Sequence, residues 1–208
     1  MIIPYNAIFK FIISTCKQYN IDESHGIKHS MEVFDFSYSI LQSESKKNPD
    51  LLCKQKVIYT AALLHDMCDN KYMNEELGIK TIKKFLIKEL EYNDEEIKAI
   101  LDIIGTMSYS KVKKKGFPDL GEYQMAYHIV READLLAAYD IDRCIIYTMI
   151  KNNITYEEAF IEAKILYYFR MGQHIQDELF TFDSSKKLAV ELNAIGLQKI
   201  KYLNKMFQ

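Results

Sequence analysis

Seven glycines and three prolines in 208 residues leave this chain short of turn-makers. A fold of many strands needs a turn about every 10 residues, with Gly, Pro, Asn or Asp to make it. Few long helices need far fewer, so the scarcity points to an all-α chain, and the hydrophobic periodicity agrees. Residues 5–19 place Ile8, Phe9, Ile12, Ile13 and Cys16 at helical spacing, and residues 29–42 repeat the pattern with Val33, Phe34, Phe36, Ser37, Ile40 and Leu41. Residues 51–66 carry Leu51, Leu52, Val57, Ile58, Ala61, Ala62 and Leu64, nearly apolar toward their end, which predicts a central buried helix.

Helices are predicted next at 74–90 and 94–107. The second opens on Asn93-Asp94-Glu95-Glu96, acidic residues favoured in a first turn. Residues 108–121 (SYSKVKKKGFPDLG), rich in lysine and holding Gly and Pro, read as an exposed loop. Helices follow at 122–139, 142–152, 155–172 and 184–206, with Thr155 and Glu158 spaced for a capping box. With no repeat and no low-complexity linker, residues 1–208 are expected to form one domain, a bundle of about eight to ten helices.

The composition, 49% hydrophobic and 27% charged, supplies a sizeable core. The net charge of −2 gives no electrostatic reason to expect nucleic acid or an anionic membrane as partner. Cys16, Cys53, Cys68 and Cys144 are scattered without the short paired spacings of a disulfide framework or zinc knuckle, so free thiols are expected. The opening MIIPYNAIFKFIIST lacks a basic lead-in and a cleavage site, and no stretch approaches the roughly 18 apolar residues of a membrane span. A soluble, cytoplasmic protein is the expectation.

Three segments set polar, metal-competent side chains where a helical core should be apolar. In Ser24-His25-Gly26-Ile27-Lys28-His29, the two histidines are four apart and share a face if helical. Ala61-Ala62-Leu63-Leu64-His65-Asp66 closes an apolar run on a His-Asp pair and continues to Asp69 and Lys71. Burying that carboxylate is costly unless something offsets its charge, and a cation would. In Val130-Arg131-Glu132-Ala133-Asp134-Leu135-Leu136, a carboxylate is again framed by apolar residues, with Arg131 one turn before Asp134 as an alternative partner. Neighbouring helical residues point about 100° apart, so His65 and Asp66 reach one ion only over the edge between them.

The ordered series HGIKH, AALLHDMCDNKY, READLLAAYD resembles the HD superfamily of phosphohydrolases, and is most similar to small bacterial and viral HD-domain proteins with motifs H-x-x-x-H, A-A-x-L-H-D-x-x-D-x-K and x-x-A-D. The likeness covers roughly residues 22–150, with helices over 151–208 expected to pack on that core. It implies metal ligands at His29, His65, Asp66 and Asp134, and one divalent ion, Mn²⁺, Mg²⁺, Co²⁺, Ni²⁺ or Fe²⁺, with Zn²⁺ also compatible with this donor set. It implies hydrolysis of a small phosphorylated metabolite, a nucleotide above all, either to monophosphate and pyrophosphate or by release of phosphate. Asp69 matches an acidic position near the attacking water, and a capping role is its alternative. His25 is assigned to phosphate contact or support of the ligands. Lys71, Lys28 and Arg131 are candidates to neutralise phosphate, Arg131 alternatively to orient Asp134.

Residues 67–127 hold no histidine, and His128 lies about 120° around a helix from Asp134, so a single metal is expected rather than a binuclear centre. His174 has no matched partner and reads as ordinary. Hydroxyls in 103–110 are candidates for phosphate or ribose contact, or for helix capping, and Lys111, Lys113, Lys114 and Lys115 read as a solvated run. A different class of function, a non-catalytic module that keeps the metal as a cross-link or senses nucleotides, uses the same ligands.

Overall fold

A computed structural model describes residues 3–207. Ten α-helices run in the order α1 (Tyr5–Tyr19), α2 (Ile27–Glu44), α3 (Gln55–Leu64), α4 (Glu75–Glu89), α5 (Asp94–Thr106), α6 (Tyr109–Lys115), α7 (Gln124–Ala137), α8 (Ile141–Asn152), α9 (Tyr156–Gln176) and α10 (Asp183–Met206). Two 3-10 turns, Pro49–Lys54 and Gly121–Tyr123, precede α3 and α7, and no strand occurs among the described residues. The chain is all-helical, as the shortage of turn residues implied.

Helix α3 is the axis of the core. Every residue from Lys56 to Leu64 is buried, which explains a run with no polar stripe. It packs against α2, α5 and α7, while α2 also lies along α7. Lys56 is accommodated because its ammonium donates to Glu96 Oε2 at 2.9 Å and to the Glu91 carbonyl at 2.8 Å. Helices α8 and α9 form a closely packed pair, and α10 returns across α7, α2 and α8.

Local sequence starts the helices where the chain must turn. Asn93 and Glu96 form a reciprocal capping box on α5, and Thr155 and Glu158 form the expected one on α9. Asn74 and Asp140 cap α4 and α8 through their side chains. Gly78 has a packing reason: a Cβ there would lie 2.6 Å from Cys68 Cβ and 2.7 Å from Cys68 Cα. Its bare backbone lets α4 press on the turn that follows His65 and Asp66.

Three expectations need correction. The lysine-rich stretch 108–121 is not all loop, because Tyr109–Lys115 is helical. Val112 anchors it inward, lysines crowd the C-terminal turn, where positive charge suits the helix dipole, and Gly116 ends it at φ 74°. The stretch predicted as one helix over 51–66 opens as a 3-10 turn and stops at Leu64, leaving Asp66 in the following turn. His25 lies before α2, whose N-cap is Gly26, so it shares no helical face with His29. No helix among the described residues is long and apolar enough to cross a membrane.

Candidate metal centre

Because α2 packs against both α3 and α7, the early part of α2, the end of α3 and the last turns of α7 meet. His29 is the third residue of α2, His65 caps α3 with Asp66 next to it, and Asp134 projects from α7. His29 Nε2 lies 3.1 Å from His65 Nε2 and 3.3 Å from Asp66 Oδ2, and His65 Nε2 lies 3.2 Å from the same oxygen. Asp134 Oδ1 is 3.3 Å from His29 Nε2 and 3.7 Å from His65 Nε2. All four residues named as ligands by the family resemblance are thus drawn together, from sequence positions more than 100 apart.

The donor chemistry fits a cation. His65 Nδ1 donates to the Ala62 carbonyl at 2.8 Å, which turns Nε2 towards the cluster, where it offers a lone pair once a cation replaces its proton. His29 Nε2 accepts from the Arg143 guanidinium at 2.9 Å, so it carries no proton, and its one lone pair is held by Arg143 until a cation takes that place. Asp66 Oδ2 is buried, close to both rings, and hydrogen-bonded to neither. A buried carboxylate oxygen without a donor is expensive, and an ion removes the cost. An ion about 2.1 Å from its ligands spans a ligand–ligand edge of about 3.0 Å when octahedral and about 3.4 Å when tetrahedral. The 3.1, 3.3 and 3.2 Å sides of the His29–His65–Asp66 triangle fall within that range.

The same crowding appears in the proton affinities. Burial alone would lower the His65 imidazole, but Asp66 and Asp134 beside it push it up to about 9. Burial would raise the Asp66 carboxyl, yet the neighbouring His65 and His29 hold it well below the usual range, and Asp134 is lowered in the same way. A proton is thus drawn to the place where lone pairs converge.

A cleft of about 420 Å³ opens beside the cluster, and Asp66, Asp134, Lys71, Arg143 and Arg170 are among the residues that line it. Arg143 on α8 is anchored by Nε donating to the Ser24 carbonyl at 2.6 Å. Among the described residues neither Arg143 nor Arg170 has a carboxylate at salt-bridge distance. Lys71 pairs with Asp69 at 3.3 Å, and its ammonium donates to His25 Nε2 at 3.0 Å. That bond makes His25 a neutral acceptor, in agreement with burial and the nearby Lys71 and Arg143 lowering its pKa to about 4. Its Nδ1 then donates to Ser24 Oγ at 2.7 Å, and that hydroxyl donates on to Asp22. Tyr72 also donates to Asp22, tying the segment before α2 to the turn after α3.

Asp69 lines the cleft and caps no helix; its Oδ1 accepts from the Lys71 backbone N–H two residues on at 2.8 Å, an Asx turn in the connection after α3, whereas Asn74 caps α4. Ser108, Tyr109 and Ser110 line the cleft as well, although the Tyr109 hydroxyl donates to Asp177 at 2.7 Å. Lys28 is exposed and is not among the lining residues.

Arg131 departs from the sequence expectation. It is 2% exposed and makes no ion pair with Asp134; its NH2 reaches Glu132 Oε1 at 3.1 Å, and its guanidinium lies over the Phe117 ring at 4.7 Å. Three positions apart, Arg131 and Asp134 were free to pair, but the buried Glu132 is the stronger attraction. The cations at the cleft are instead Arg143 and Arg170, which the sequence reading passed over, and His174 lines the cleft too. A signal existed: the chain has three arginines against 24 lysines, so each arginine is a marked choice.

No family model and no curated protein matches this chain. Among solved structures, the crystal structure of a protein from Lactobacillus plantarum is similar, with a TM-score of 0.65 over 97% of this chain and 95% of that one, at 18% identity. The likeness establishes the fold over nearly the whole length. It carries no chemistry, which rests on the residues themselves.

Proposed function

We propose that this chain is a metal-dependent phosphohydrolase of the HD type, acting on a small phosphorylated metabolite, with a nucleotide as its substrate class. The observation that carries the reading is the partnerless Asp66 oxygen between two imidazoles, set beside arginines that have no carboxylate of their own. One half of the site lacks a cation and the other lacks an anion, and a metal ion with a phosphate supplies both.

His29, His65, Asp66 and Asp134 would hold the metal. When bound, a divalent ion such as Mn²⁺, Mg²⁺, Co²⁺, Ni²⁺, Fe²⁺ or Zn²⁺ contributes Lewis-acid polarisation of a phosphoryl oxygen and acidification of water. The protein's own contributions are separable. Arg143 and Arg170 neutralise phosphate charge, and their planar forks fix its orientation. Lys71 adds a third positive charge, and neutral His25 holds its ammonium in place by accepting from it. Asp69 Oδ2, the oxygen not used in the turn, faces the Lys71 ammonium at 3.3 Å and would orient water and take its proton from there.

The test is phosphate and pyrophosphate release from a panel of nucleotides, with metal-stripped protein and Mn²⁺, Mg²⁺, Co²⁺ or Ni²⁺ added back. Turnover is expected to need metal and to vanish in His65→Ala; full turnover in that variant would sink the mechanism. Asp69→Asn is expected to keep its metal and lose turnover. A wild-type protein that binds metal yet turns over no phosphoester would be the non-catalytic module.

A further inference from the structure

A second cavity, of about 550 Å³, lies between the C-terminal part of α9, the connection after it and α10. Three rings gather in its wall: Tyr139 and His174 centroids are 5.5 Å apart, His174 and Phe180 5.9 Å, and Tyr139 and Phe180 6.4 Å. Met171 and Ala189 add apolar surface, and Asn193 adds an amide. Asn193 Oδ1 accepts from the Tyr167 hydroxyl at 3.1 Å, which fixes the side chain and leaves its NH2 group to donate.

His174 lines this cavity and the cleft beside the metal ligands alike. It is 6% exposed, and its Nδ1 is buried without a hydrogen-bond partner. Burial, reinforced by the nearby Arg170 charge, lowers its pKa to about 4, so at neutral pH the ring offers one donor and one acceptor. A buried polar atom without a partner needs a reason, and a ligand atom admitted beside the ring would supply one. At the mouth, Ile175 and Val190 are 75% and 72% exposed, apolar surface that a flat ligand would cover.

We infer that this cavity takes the base and sugar of a nucleotide whose phosphates lie in the neighbouring cleft. Aromatic walls suit the faces of a nucleobase, and the Asn193 amide and His174 ring suit its polar edge. For the placement of the phosphates the inference rests on the phosphohydrolase reading; for the base it stands on the cavity alone.

The experiment separates the two. Adenosine, guanosine, cytidine and uridine, with neither phosphate nor metal, are titrated into the millimolar range against wild type, Ala189→Phe, which fills the cavity, and Asn193→Ala, which leaves its volume open. At least one nucleoside is expected to bind wild type and to bind each variant about tenfold more weakly. KM for the matching nucleotide is expected to rise in parallel, with kcat and the hydrolysis of base-free tripolyphosphate unchanged. No nucleoside binding to wild type, or binding that neither variant weakens, overturns the inference. So does a concentration-dependent dimer that covers Ile175 and Val190 and binds no nucleoside, which would give the rim to a second copy. Nucleoside binding without metal-dependent phosphate release would uphold the cavity and sink the phosphohydrolase reading. Turnover without nucleoside binding would do the reverse.

Discussion

Arg131→Met separates a phosphate clamp from a structural cation. Arg131 is 2% exposed and Glu132 is fully buried, with a single guanidinium contact of 3.1 Å between them. Glu132 also accepts from Thr181 N at 2.7 Å and Phe182 N at 3.3 Å, so it fastens the connection between α9 and α10 to the core. Removing one partner of a buried pair costs about 3–5 kcal/mol. The two backbone donors that remain place this case near the lower end, and loss of the stack on Phe117 adds about 1 kcal/mol. A total of about 4 kcal/mol, at an m of about 2 kcal/mol/M, lowers the urea midpoint by about 2 M. The double variant Arg131→Met/Glu132→Gln is expected to recover about 1–3 kcal/mol, because no uncompensated charge is left. Metal content should stay at the wild-type level in both. A wild-type midpoint with depressed turnover would refute the structural assignment and return Arg131 to the phosphate.

Three further outcomes follow from the same geometry. If His29, His65 and Asp66 take an ion, Mn²⁺ at about 100 times its Kd stabilises the fold by about 2.7 kcal/mol, or roughly 5–10 °C in Tm for a chain of this size; an equal shift in His65→Ala would place the ion elsewhere. Gly78→Ala sets a methyl group against the Cys68 backbone and should cost about 1–3 kcal/mol, lowering the urea midpoint by about 0.5–1.5 M despite alanine's better helix propensity, so an unchanged midpoint would contradict the close approach. His128 and His174 are held by burial, with Arg131 and Arg170 nearby, at about 4. The unfolded chain takes up these protons from about pH 6.5 and the folded chain only near 4, so stability should fall between those values by up to about 3 kcal/mol per histidine. His128→Phe should flatten that decline in urea midpoints measured from pH 7 to 4, and an unaltered slope would count against it.

The candidate ligands were legible because they violate the local pattern. His65 and Asp66 interrupt an apolar run, and Asp134 sits between Ala133 and Leu135, so each needs a reason to be there. Arg143 and Arg170 violate nothing, since a cation on a helix is ordinary until the fold shows which face it occupies. Arg143 reaches Ser24 and His29 across more than 110 residues of sequence, and no local pattern encodes that meeting. His174 read as ordinary for the same reason, because it lines a cleft and a second cavity that arise only once α9 has come together with α7, α8 and α10. The stretch 109–115 was misread in the opposite sense: its lysines looked like solvent exposure, whereas one inward Val112 and a terminal Gly116 suffice for two turns of helix.

The stop of α3 at Leu64 also gives the site a direction. The last carbonyls of a helix carry the negative end of its dipole, equivalent to roughly half an elementary charge. Here that end meets His65 and Asp66, so the backbone itself adds to the field that welcomes a cation and repels an anion. Arg143 and Arg170 come from α8 and α9, elements outside that floor. Arg143 nevertheless brings its charge to within 2.9 Å of His29 Nε2, so positive and negative ends adjoin in the cleft, and under the phosphohydrolase reading a phosphate would bridge them.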